Sequence, residues 1–121
     1  MYEIVFYKTD SGKDLIREYL DSLNNKSKDG RIKLNKIYEY FLMLEKNGTK
    51  AGIPYIKHIE DNIWELRPLR DRFFFANYID NRFIILHHFV KKTQKTPKKE
   101  LEQAKRNYDN FIKRGDSNGV N

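Results

Sequence analysis

Cysteine is absent from all 121 residues, which excludes a disulfide framework and a thiolate metal site alike. Long apolar runs are also absent. The longest, around Phe73-Phe-Phe-Ala76 and Phe83-Ile-Ile-Leu86, are far too short to cross a bilayer. The amino terminus, Met1-Tyr-Glu-Ile-Val-Phe-Tyr7, has no positively charged lead and carries a glutamate, so it does not read as a signal peptide. The expectation is a soluble cytoplasmic protein. Glycine-rich phosphate loops and the Gly-x-Ser-x-Gly elbow are missing. No His, Asp or Glu pair falls at a recognisable ligand spacing, so neither metal nor cofactor is expected. No internal repeat is visible.

What the chain does have is core material and positive charge. Hydrophobic residues make up 39% and aromatics 14%, enough to rule out disorder by composition although 34% of the chain is charged. The length suits one domain, read as residues 1–114, with 115–121 as a frayed tail. A domain of this size buries roughly two thirds of the surface of its unfolded chain, enough for a real core. The net charge is +7 and unevenly placed. Residues 1–52 carry ten Lys and Arg against eight Asp and Glu, whereas residues 53–114 carry fourteen against eight. An anionic partner would therefore dock on the second half.

Periodicity orders the elements. Tyr2 to Lys8 is rich in β-formers and predicts a first strand. Thr9-Asp10-Ser11-Gly12 offers turn chemistry and candidate helix caps. Leu15, Ile16, Tyr19, Leu20 and Leu23 fall at helical spacing; Asn24-Asn25-Lys26-Ser27 breaks the pattern. Leu34, Ile37, Tyr38, Phe41 and Leu42 mark a second helix ending at Asn47-Gly48, a natural C-cap. Four strands follow: Tyr55 to Ile59, Ile63 to Arg67, Arg72 to Ile79 and Arg82 to Val90. Asp80-Asn81 is the hairpin signal between the last two. After a lysine-rich connector, Pro97 suits the first turn of a final helix with Leu101, Ala104, Tyr108 and Phe111 on one stripe. Strand, αα-hairpin, four strands, helix is an α+β domain with a mostly antiparallel sheet.

Alternation puts Ile63, Glu65 and Arg67 on one face of the third strand, with Trp64 and Leu66 on the other as a core pair. Arg72 begins an apolar central strand, where limited water demands an anionic partner. That partner is either Glu65 or Asp71 in a salt bridge, or a phosphate on which Arg67 and Arg72 converge. Lys91 to Lys99 holds five lysines in nine residues. Such a run is commonly a solubilising loop, but its place after a strand and near the arginines favours a nucleic-acid cleft. Tyr78 and Phe89 could stack on bases, although strand aromatics are more often core. His87 and His88 are neighbours on one strand and face opposite sides, so they cannot share a site. Either could be a general base, though a hydrogen-bonded structural histidine is the commoner case. His58 is isolated.

Trp64-Glu-Leu-Arg67, Arg72-Phe-Phe-Phe75, Phe83-Ile-Ile-Leu-His-His-Phe-Val-Lys-Lys-Thr-Gln-Lys-Thr-Pro97 and Glu100-x-x-x-Ala104 together resemble the HigB-like toxins of the RelE/ParE superfamily. The similarity spans the second half of the chain; the first half agrees only in element order. The resemblance implies a RelE-like fold and the toxin of a type II toxin–antitoxin module. It implies a ribosome-dependent endoribonuclease that cuts mRNA in the A site by metal-free attack of a 2′-hydroxyl on the adjacent phosphate. The implied partners are a helix-turn-helix antitoxin of the HigA type, in a heterotetramer, together with ribosome and mRNA. By the resemblance Arg67 and Arg72 match phosphate contacts on the central strands, and Lys92 and Lys95 the basic loop beyond the last strand. Lys91 joins Arg67, Arg72 and Lys92 as a catalytic candidate; Arg70, Lys95, Lys98 and Lys99 are the expected RNA contacts. The chain departs from RelE in lacking a tyrosine just inside the last helix, since Tyr108 lies too far along it. Proton donor and base therefore stay open among Lys91, Lys92 and a histidine. Two other readings remain: a ParE-like gyrase inhibitor with the same fold, and a non-catalytic nucleic-acid-binding protein.

Overall fold

A sheet of five strands separates two hydrophobic layers. The computed structural model of the chain describes residues 1–24 and 27–117; Asn25 and Lys26, in the expected break between the helices, and the end of the tail, 118–121, lie outside them. In chain order the elements are β1 (Glu3–Phe6), α1 (Leu15–Leu23), α2 (Lys28–Asn47), a 3-10 turn (Gly48–Ala51), β2 (Ile56–Glu60), β3 (Ile63–Leu66), β4 (Asp71–Ile79), β5 (Arg82–Val90) and α3 (Lys98–Ser117). The strand order is β1-β5-β4-β3-β2. The last four strands form antiparallel neighbours, but β1 pairs parallel to β5, from Glu3 opposite Arg82 to Phe6 opposite Ile85. The architecture is the expected α+β one, with a mixed sheet.

β4 is buried on both faces, and Phe73, Phe74, Phe75 and Ala76 have no exposed surface. Phe73 and Phe75 join Leu66, Phe83 and Ile85 beneath α1 and α2, which contribute Ile16, Leu20, Leu34, Ile37, Phe41 and Leu44. Phe74 and Ala76 join Ile63, Ile84, Leu86 and Phe89 beneath α3, whose stripe is Leu101, Ala104, Tyr108 and Phe111 as periodicity predicts. Burying one such side chain contributes about 1.5–3 kcal/mol, so the two layers supply most of the drive to fold.

Local chemistry sets the helix ends, at positions partly different from those expected. The cap of α1 is Asp14, whose carboxylate accepts from Arg17 N at 2.9 Å, rather than any residue of Thr9–Gly12. Ser27 caps α2. The C-cap of α2 is Gly48 at φ 59°, in the left-handed region that a glycine enters without steric cost. Pro97 stands just outside α3, its carbonyl accepting from Glu100 N at 3.1 Å. α3 itself runs through Gly115 to Ser117, into the segment read as tail. Within α2 the inward stripe is Leu34, Ile37, Phe41 and Leu44, while Tyr38 and Leu42 are 45% and 47% exposed. The expected stripe was too wide because α2 covers only one face of the sheet.

A single irregularity governs the far end of the sheet. Phe74 pairs with His87 but Phe75 pairs with Ile85, so Leu86 is an extra residue on β5. Beyond this bulge the alternation is inverted. His87 lies on the α3 side, 2.7 Å from Glu100, and His88 on the α1–α2 side, 2.6 Å from Asp71. The two histidines do face opposite sides, as their adjacency predicts.

Candidate nucleic-acid interface

At this end of the sheet the turn Pro68–Asp71 meets the connector that follows β5, and Lys91 N donates to Arg70 O at 2.8 Å. Between them opens a cleft of about 390 Å³ lined by Arg67, Arg70, Arg72, Lys91, Lys92, Thr93 and Gln94. Five cationic side chains converge on one concavity. Arg67 immediately follows β3, its N donating to Tyr55 O at 2.9 Å, and Arg72 is the second residue of β4, whereas the two lysines come from the connector.

Their nearest counter-charge is Glu65, 1% exposed, whose Oε1 lies 3.4 Å from Arg67 Nε and 3.9 Å from Arg72 Nε. Of the two partners foreseen for these arginines, the side chain of Asp71 is excluded, because alternation turns it to the opposite face. Backbone carbonyls complete the seat of Arg72: its Nη1 donates to Leu69 O at 2.8 Å and to Asp71 O at 2.9 Å. Leu69 sits at φ 56°, unusual for a residue with a side chain, and presents its carbonyl to that guanidinium. Burial draws the proton affinity of Arg72 below its ordinary value; the attraction of Glu65 opposes this and the repulsion of Arg67 adds to it. The same forces act on Lys91. Burial lowers its affinity first, Glu65 works against that, and Arg72, Arg67 and Lys57 reinforce it.

Lys95, Lys98 and Lys99 are exposed and stand outside the cleft lining. Phe89 is a core residue packed on Phe74, and Tyr78 is partly buried against Phe111, with centroids 5.3 and 4.9 Å apart. His58 Nε2 contacts Asp61 O at 2.6 Å, away from the cleft. Among the described residues no group of three or more His, Asp or Glu is placed to hold a metal, and no helix is long and apolar enough to cross a membrane.

Sequence reasoning missed a second polar cluster on the opposite face. Asp71, with no exposed surface, accepts from Tyr19 Oη and His88 Nε2 on Oδ2, and Lys33 Nζ stands 3.1 Å from Oδ1. Burial alone would raise the Asp71 pKa. Hydrogen bonds from His88, Tyr19 and Lys33 outweigh it and hold the carboxyl below the usual range. Burial and the bond to Asp71 push Tyr19 up; Lys33 is also raised, because Tyr19 and Asp71 overcome its burial. Tyr19 and Asp71 are 52 positions apart, so no spacing rule could have joined them.

An α+β fold with one mixed sheet, a helical hairpin and a C-terminal helix, bearing a basic cleft at a sheet end, is consistent with the RelE-like class. Residues 18–109 match the family described as Phage derived protein Gp49-like (DUF891), and the chain belongs to that family, part of the RelE/ParE-like toxin superfamily of toxin–antitoxin systems. Membership supports a toxin role and implies an antitoxin partner. No curated protein matches the chain.

Proposed function

We propose that the protein is a HigB-like endoribonuclease toxin that cuts mRNA on the ribosome, with the cleft as its active site. The observation that carries this reading is the convergence of Arg67, Arg70, Arg72, Lys91 and Lys92 around one concavity, with the buried carboxylate of Glu65 already shared by two of them. Such a lining attracts a phosphodiester and repels a divalent cation, which favours metal-free chemistry. In that reaction the RNA 2′-oxygen attacks the adjacent phosphorus, a 2′-O–P bond forms and the P–5′-O bond breaks. The products are a 2′,3′-cyclic phosphate and a 5′-hydroxyl. Arg67 and Arg72, planar and anchored next to β3 and in β4, are suited to bind the phosphoryl oxygens as negative charge accumulates. Lys91 is the preferred general base. Burial and three neighbouring cations lower its proton affinity, which makes the ammonium easier to deprotonate than an ordinary lysine. His87 and His88 are engaged by Glu100 and Asp71. Lys92 flanks the site, and Lys95 in the connector with Lys98 and Lys99 at the start of α3 extends a basic track for the RNA strand. The antitoxin is a HigA-type helix-turn-helix protein in a heterotetramer.

The deciding experiment incubates the purified chain with programmed ribosomes and, separately, with DNA gyrase. Cleavage of the translated mRNA supports the nuclease. Blocked supercoiling with intact mRNA would instead assign the chain to ParE-like gyrase inhibitors. Binding of RNA with neither effect would leave a non-catalytic nucleic-acid-binding protein.

A further inference from the structure

One residue of the cleft does not fit a simple phosphate-binding surface. Glu65 is an acid in the middle of a basic site, 1% exposed, on a strand whose neighbours Ile63 and Leu66 are buried core. A buried carboxylate is strongly disfavoured unless cations compensate it. The compensation here is unusual in form. One oxygen, Oε1, lies between two guanidiniums, at 3.4 Å from Arg67 Nε and 3.9 Å from Arg72 Nε. Both separations exceed an ordinary N–H···O hydrogen bond. Glu65 Oε2 and both Nε atoms are buried, and they find no hydrogen-bond partner among the described residues. The triad is thus held by charge without closing into a bidentate salt bridge.

The consequence is geometric. Two guanidiniums lining one cleft repel each other, and an anion between their Nε atoms cancels that repulsion. On Arg72, Nη1 is already taken by the carbonyls of Leu69 and Asp71. Glu65 approaches from the Nε side and does not cover the remaining nitrogen of the fork. We propose that Glu65 is a positioning residue, which holds Arg67 and Arg72 side by side at the spacing one phosphate requires while leaving their outer donors free for it. The proposal rests on the cleft being the phosphate-cleaving site. It also explains why an acid is tolerated there: without it the two arginines would splay towards solvent.

The test compares wild type with Glu65→Gln, of nearly equal size, and with Glu65→Asp. Single-turnover cleavage by Glu65→Gln should fall about 100-fold, the scale of a misplacement near 1 Å, while RNA binding is unchanged or tighter because the cleft gains one net positive charge. Glu65→Asp, which keeps the charge, should recover part of that rate. The pH–rate profile separates positioning from damage. Glu65 is the carboxylate that opposes the lowering of the Lys91 proton affinity, so its loss should move the Lys91 titration and the rising limb of the profile to lower pH. The Lys91 midpoint is read by NMR on the free protein and does not depend on nuclease activity. Should Glu65→Gln fail to fold, the wild type alone still decides. The Nε protons of Arg67 and Arg72 should exchange with solvent about 10-fold more slowly than that of exposed Arg70, because both are buried and held against a carboxylate. Equal exchange at all three arginines, or a folded Glu65→Gln with an unmoved Lys91 midpoint and wild-type cleavage, would overturn the proposal. A wild type that cuts no RNA sinks the nuclease reading, and the exchange and titration arms then judge the Glu65 geometry alone.

Discussion

The imidazole of His88 stacks on the phenol ring of Tyr19 with centroids 3.8 Å apart, and both side chains donate to the same oxygen of Asp71. This contact fastens α1 to the mouth of β4, one residue before Arg72. Asp71→Asn leaves Lys33 without its counter-ion and weakens both bonds, and should cost about 3 kcal/mol at neutral pH. The folded Asp71 carboxyl is held below its unfolded value, so its contribution is complete above about pH 4 and disappears as pH falls through the folded pKa. Urea denaturation of both proteins from pH 7 to pH 2.5 should show the gap between them closing only in acid. A gap that stays constant would show that the carboxylate charge is not what stabilises the cluster.

Gly48→Ala should destabilise the protein by about 1–2 kcal/mol, the usual penalty for a side chain in the left-handed region. At φ 59° an added Cβ would also lie 2.7 Å from Cε2 and Cζ of Tyr2, which must then move. A thermal melt measures this, and an unchanged midpoint would show that the C-cap of α2 tolerates the strain.

Arg72→Ala should abolish growth inhibition while the protein still folds and binds its antitoxin. Removing one donor aimed at a developing phosphorane lowers the rate about 100- to 1000-fold. Arg72→Lys should recover little, since an ammonium cannot reproduce the carbonyl contacts of the guanidinium fork. Loss of the folded state in either variant would make Arg72 a structural partner of Glu65 alone.

Cleavage should survive EDTA at magnesium levels that keep ribosomes intact, and the downstream fragment should carry a 5′-hydroxyl. End-labelling distinguishes this from the 5′-phosphate a water nucleophile would leave. Restoration of lost activity by an added transition metal would overturn the metal-free mechanism.

The lysine track should carry association rather than chemistry. Each lost phosphate contact lowers the salt dependence of binding by roughly one unit of slope in a log–log plot. Neutralising Lys95, Lys98 and Lys99 together should weaken ribosome or RNA binding and flatten that slope, with cleavage at saturating enzyme largely retained. Lys92, which lines the cleft, should also reduce the maximal rate. Single-turnover cleavage at several salt concentrations reads both quantities. A steep slope with a collapsed maximal rate in the triple variant would reverse the division of labour.

Residue pattern by itself determined the order of elements, the inward stripe of α3, the faces of β3, and the gathering of positive charge in the second half. These are short-range properties: a period of 3.6 or 2 is set by neighbours along the chain. The nearness of Arg67 and Arg72 to the connector was legible for the same reason, because each sits at a strand end and the turns between the strands are short. Tertiary structure decided the rest. The parallel pairing of β1 with β5 joins segments some 80 positions apart, and alternation is blind to strand direction. The extra residue at Leu86 reversed the faces of His87 and His88, an inversion that local pattern could not register. Glu65 became the shared anion of the cleft, and Asp71 the centre of a separate cluster, only when packing fixed which carboxylate faced which cations. Charge interactions depend on distance through space and on burial, and the folded chain alone sets both.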